Sequence, residues 1–238
     1  MTHSISIIPI SSLILILIPV AVVLWIQYKW SLNYKEGIYA VSRMLGQLLI
    51  VGYFLGYIFN SDKAWVIVLI LIVMIVASSW IALRTITEKR KQLFVTVLTS
   101  MLIGGITTLV LVTQVVLDFE PWYKPQYIIP LAGMIFANSL NSISLAAERY
   151  FDELGRGLES LEARNIAFKT AMIPVTNSLF AVGLVSLPGM MTGQILSGVD
   201  PLIAVRYQIM VMAMIFAAGG ISSAVCLELF VRKKLQNE

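Results

Sequence analysis

The residues best equipped by type and spacing to handle a solute are uncharged. Asn138, Ser139, Asn141, Ser142 and Ser144 fall within one apolar run, and at 3.6 residues per turn Met134, Asn138, Asn141 and Leu145 share a helix face. Amide oxygens and a thioether can ligate a passing cation or hydrogen-bond a polar solute. Asparagines held in hydrocarbon also need partners across helices or water, so the same face reads equally as interhelical glue. A second group is Ser186-Leu187-Pro188-Gly189-Met190-Met191-Thr192-Gly193-Gln194, followed by Asp200. Pro188-Gly189 breaks a helix inside an apolar run. Broken helices recur at transporter binding sites, and proline kinks recur in purely structural spans. Met190 and Met191 can be soft ligands or gap-fillers.

These residues must be carried by elements that cross a membrane. The chain has 238 residues, 58% hydrophobic and 13% charged, with mean hydropathy +0.87. Soluble chains run at roughly 45–50% apolar and about 25% charged. The charge-free runs are Ile5–Ile26, Met44–Ser61, Ala64–Leu83, Leu93–Leu117, Tyr127–Ala147, Thr170–Val199 and Tyr207–Leu227, most of them near the roughly 20 residues that cross a bilayer. The fold class is therefore all-α: a polytopic membrane protein of about seven transmembrane helices, the sixth broken at Pro188-Gly189. Soluble enzymes, nucleic-acid readers and disordered chains are excluded. The leader before Ile5 lacks a basic n-region, so the first run is expected to remain as a helix.

Lysine and arginine set the orientation. With the N-terminus outside and the C-terminus in the cytoplasm, all of the 17 basic residues except Lys63, Lys124 and Arg206 fall inside. The net charge of +4 then marks cytoplasmic loops rather than nucleic-acid binding. The spans hold no Asp, Glu, Lys, Arg or His, whereas ion-coupled carriers generally keep an ionisable group in the membrane. No glycine precedes a lysine, so there is no Walker motif. Cys226 stands alone, without an intrachain disulfide partner or a metal cluster. Gly52–Gly56 and Gly189–Gly193 are G-x-x-x-G pairs expected to allow close helix packing.

The hydrophilic stretch Glu148–Lys169 is the longest between spans. Phe151, Leu154, Leu158, Leu161 and Phe168 recur as an apolar stripe at helical spacing. Gly155 and Gly157 weaken it, predicting a bend or two shorter helices. The stripe either docks on the chain's own helices or seats a cytoplasmic partner.

Val185-Ser186-Leu187-Pro188-Gly189-Met190-Met191-Thr192-Gly193, then Gly198-Val199-Asp200-Pro201 and Tyr207-Gln208-Ile209-Met210-Val211, closely resemble the signature of the FetB-like permeases. These are membrane subunits of an ABC-type iron-export system, to which plant aluminium-tolerance permeases are similar. Ile129–Ile135 with Asn138, and Gln47–Tyr53, resemble two further family signatures. The resemblance implies a single permease domain over residues 1–238 in the cell membrane, itself not an enzyme and without a cofactor. It implies a separate cytoplasmic ATPase subunit binding ATP and magnesium, two copies of each subunit, and export of iron, another metal or a metal complex. Residues 148–169 would then contact the ATPase through Arg156, Leu158, Glu159, Leu161, Glu162, Ala163 and Arg164. After Glu162-Ala163 this chain has Asn165-Ile166-Ala167-Phe168 in place of the family's more usual leucine-glycine-alanine. Met134, Asn138, Asn141, Pro188, Gly189, Met190, Met191, Gln194 and Asp200 are the expected substrate path, its metal ligands left open. A passive channel, a partner-independent carrier and a non-transporting scaffold are the alternatives.

Overall fold

Long apolar runs have only one economical way to satisfy their backbone in lipid, which is to coil into helices. In the computed structural model, which describes residues 9–59 and 63–235, helices take up nearly all of the chain. Six of those described are long and apolar enough to cross a membrane. They are α1 (Ser11–Lys29), α2 (Tyr34–Phe59), α3 (Ala64–Ala82), α4 (Arg90–Val116), α5 (Pro125–Gly155) and α8 (Pro201–Leu235). Between α5 and α8 lie α6 (Ser160–Ala181) and the short α7 (Gly189–Leu196). The expected start of the first run at Ile5 and end of the second at Ser61 lie outside the described residues.

The chain divides into two compact units, Met1–Asn60 and Ser61–Glu238. In the first, α1 and α2 form a hairpin. Tyr28 meets Tyr34 edge-on with ring centres 5.3 Å apart. None of its described residues is buried within the structure.

The second unit is a bundle in which α5 packs against α3, α6 and α8. Lipid tails are as apolar as leucine, so membrane helices associate through close packing of small residues. That packing is concentrated where α4 and α5 cross α8. A Cβ on Gly104 would lie 2.6 Å from the Ser222 nitrogen, so only glycine fits there, and one on Gly219 would lie 2.8 Å from Ser142 Oγ. Ser222 Oγ donates to Ser139 Oγ at 3.3 Å. Around this seam α4 departs from α geometry, with π-helical turns at Leu102–Ile106 and Leu111–Val116. Thr108 returns its hydroxyl to the Gly104 carbonyl at 2.6 Å. The expected close packing at Gly52–Gly56 and Gly189–Gly193 is not realised: nothing lies within 4 Å of a Cβ placed on any of the four.

The sixth apolar run is interrupted over a wider stretch than the Pro188-Gly189 pair. Helix α6 already ends at Ala181, and a tight turn follows in which the Gly183 amide donates to the Ser186 carbonyl at 3.0 Å. Pro188 caps the start of α7 in an extended conformation.

Candidate functional site

Beside this interruption is a cavity of about 500 Å³. Leu179 of α6, Val182 and Gly183 of the turn, Met191 of α7, and Gln208 and Met212 of α8 contribute to its wall. The wall is apolar except for Gln208. That side chain is only 5% exposed, and its Oε1 accepts no hydrogen bond. An unsatisfied buried amide costs about 1–3 kcal/mol, so a partner for this oxygen would be stabilising. A ligand donating N–H or O–H, or a cation accepting an amide oxygen, would satisfy it. Among the described residues no three His, Cys, Asp or Glu side chains lie close enough together to hold a metal ion. Gln208 lies in a stretch quoted for the family resemblance but is not among the expected path residues. Its signal was a polar amide on an otherwise apolar span.

The expected path residues do not converge. Met191 lines the cavity. Met190 packs against the bundle core, and Gly189 is exposed as the first residue of α7. Gln194 has a buried, unpartnered Oε1, yet is not part of the cavity wall. Asp200 serves α8, its Oδ1 accepting the Leu202 amide at 2.8 Å. On α5, Met134, Asn138 and Asn141 are also absent from this wall. Asn138 donates to its own helix at the Met134 carbonyl, 2.8 Å away, and Asn141 is exposed. On α5 it is Ser139 and Ser142, not the asparagines, that meet α8 at Ser222 and Gly219.

At the far end of α6 the hydrophilic segment folds as a helical hairpin. Its apolar stripe does not run along one helix, because the chain turns at Arg156–Glu159, where Gly157 takes φ +90°, a conformation that L side chains rarely adopt. Phe151 and Leu154 pack against the core from α5, whereas Leu161 on α6 is 53% exposed. The turn is braced on both sides. Tyr150 Oη and Ser160 Oγ are 2.5 Å apart. Buried Glu153 pairs with Arg149 and Arg156, and Arg164 reaches Glu228 of α8 at 3.0 Å. Of the expected contact residues, Arg156, Glu159, Leu161 and Glu162 are exposed, Leu158 and Arg164 are half-buried, and Ala163 is fully enclosed. Ala163 therefore supports the hairpin from inside.

Residues 10–164 and 158–235 match the model of a family described as "Uncharacterised protein family (UPF0014)". The chain belongs to this family. It is 33% identical to the "Probable iron export permease protein FetB" of Escherichia coli (strain K12), over 93% of this chain and 90% of that protein. A membrane protein of the same family from Synechocystis is 36% identical over 78% of each chain. The protein ALUMINUM SENSITIVE 3 of Arabidopsis thaliana is 30% identical over 90% of this chain and 82% of its own length. No solved structure matches the chain. Family membership and six long apolar helices together make this a multi-pass membrane protein.

Proposed function

We propose that the chain is the membrane-spanning subunit of an ABC-type exporter, without ATPase activity of its own and driven by a separate cytoplasmic ATP-binding subunit. The relative named as a probable iron export permease supports the transport reading. The observation that carries the mechanism is the span of α6. One end begins at the braced hairpin with Leu161 and Glu162 exposed, and the other ends where Leu179 walls the cavity. A helix of 22 residues is about 33 Å long, enough to join the hairpin to the cavity, with Pro174 inside it as a place where it can bend. The ATPase would bind ATP and magnesium and press on the hairpin, and α6 would shift the wall opposite Gln208. Two copies of this chain would form the complete passage in the cell membrane, with the basic hairpin end in the cytoplasm.

The cargo would be a metal, iron first, or a metal complex. Amide and thioether groups at the cavity supply no counter-charge, so a trivalent ion would cross in a complex that carries its own neutralising ligands. The path would run through the cavity, with the Met134, Asn138 and Asn141 face of α5 as a further part of it. The test is affinity purification from native membranes. A near-stoichiometric Walker ATPase that is lost on deleting Gly155–Leu161 is the expected result. A clean homo-oligomer with cargo flux in liposomes without ATP would replace this reading with a channel or carrier.

A further inference from the structure

A second cavity, also of about 500 Å³, opens at the hairpin end of the bundle. Its floor is aromatic: the Phe230 ring lies 5.8 Å from Tyr150 and 5.4 Å from Phe151. Its rim is cationic, with Lys89 from the approach to α4 and Lys233 and Lys234 from the last turn of α8. No acidic residue is part of the wall. Lys89 Nζ sits 4.6 Å above the Phe151 ring. Lys233 Nζ donates to the Gln92 carbonyl at 3.2 Å, and an ammonium with three N–H groups keeps two more to give.

The position of this cavity matters as much as its charge. Arg90-Lys91 on α4 gives way to buried Leu93, and buried Phe230 and Val231 on α8 give way to Arg232-Lys233-Lys234. Both helices thus change from apolar to charged at its level, where a bilayer changes from hydrocarbon to headgroup. We propose that this cavity binds the phosphate headgroup of an anionic phospholipid, with Lys89, Lys233 and Lys234 holding the phosphate and the aromatic floor meeting the glycerol and upper acyl carbons. Basic pockets between membrane helices take such headgroups. The proposal does not depend on what the protein transports.

Purified full-length chain in detergent would be titrated with phosphatidylglycerol, phosphatidylcholine or inorganic phosphate and read by native mass spectrometry. The wild type should retain phosphatidylglycerol in preference to phosphatidylcholine. Lys89→Gln/Lys233→Gln, which removes both charges and keeps polar side chains, should weaken phosphatidylglycerol about 30-fold and leave phosphatidylcholine unchanged. Lys63→Gln/Lys124→Gln removes the same charge at residues that are no part of the cavity wall and should have little effect. Equal loss in both double variants, or unchanged binding in the first, would overturn the site. Displacement of the lipid by millimolar inorganic phosphate would make it a free-anion site and overturn the lipid assignment. Loss of a copurifying ATPase with lipid retention intact would assign the lysines to a protein contact instead.

Discussion

The two cavities are of similar size and share one helix, but their chemistry is opposite. At one, α8 contributes a buried, unpartnered amide among aliphatic groups and thioethers. At the other it contributes ammonium groups above aromatic rings. Gln208 and Lys233 are separated by about 38 Å along α8 at 1.5 Å per residue, more than the roughly 30 Å of bilayer hydrocarbon. If the lysines mark one boundary, Gln208 lies near the other. The difference teaches that an uncharged wall suits a group that must enter and leave, whereas fixed charges suit one that stays. An amide can satisfy a solute without trapping it in a low-dielectric setting, while each lysine adds a lasting attraction to a phosphate.

The strongest way to break this comparison is to separate the helices that hold both cavities. Gly104→Ile forces a branched side chain against the Ser222 backbone. It should cost about 3 kcal/mol or more, abolishing a monodisperse peak in size-exclusion chromatography and lipid retention together. A narrower cut is Gln208→Leu. Removing the unsatisfied amide should raise thermal stability by about 1 kcal/mol, lower cargo-stimulated ATP hydrolysis by about tenfold in the assembled transporter, and leave phosphatidylglycerol retention unchanged. Stability lost together with activity would instead make Gln208 a structural residue.

Arg164→Ala tests the link between the two ends. Its partly exposed pair with Glu228 should contribute no more than about 1 kcal/mol, so melting shifts slightly while the stimulation of the ATPase by cargo weakens. Glu228→Ala should do the same, and the double variant should add little. Smallest of all, Asn138→Ala removes a hydrogen bond that its own helix supplies. Transport should fall less than with Gln208→Leu. A larger fall would move the path from the α8 cavity to the exposed face of α5.

Much of this arrangement could be read from residue order. The charge-free runs located α1 to α5 and α8, because hydrocarbon thickness and backbone satisfaction act on contiguous sequence. The glycines at 155 and 157 marked the hairpin turn for the same local reason. Features that depend on which helices meet were not legible. Gly104 and Gly219 carry the close approaches, while the two G-x-x-x-G pairs do not. A motif records small size, not the neighbour that needs it. The π-helical turns of α4 accompany its crossing of α8, which no local pattern announces. The stripe from Phe151 to Phe168 was expected to bend at Gly155 and Gly157, but spacing alone did not show that Phe151 and Leu154 would pack on the core while Leu161 stays exposed. Part of the candidate site was visible in Met191. Gln208 was not, since being buried without a partner is a property of the folded bundle alone.

The ion pair between Arg164 and Glu228 also has a consequence for biogenesis. The first half of α6 carries Glu162, Arg164 and Lys169, charges that need partners or water at the membrane boundary. The partner of Arg164 lies on α8, which is synthesised after α6. Until α8 has been synthesised and threaded alongside, α6 lacks that carboxylate, and the hairpin is held by Tyr150–Ser160 and the Glu153 pairs. A nascent chain truncated before α8 should therefore leave bare the side of α6 that α8 covers, a face that the full chain hides.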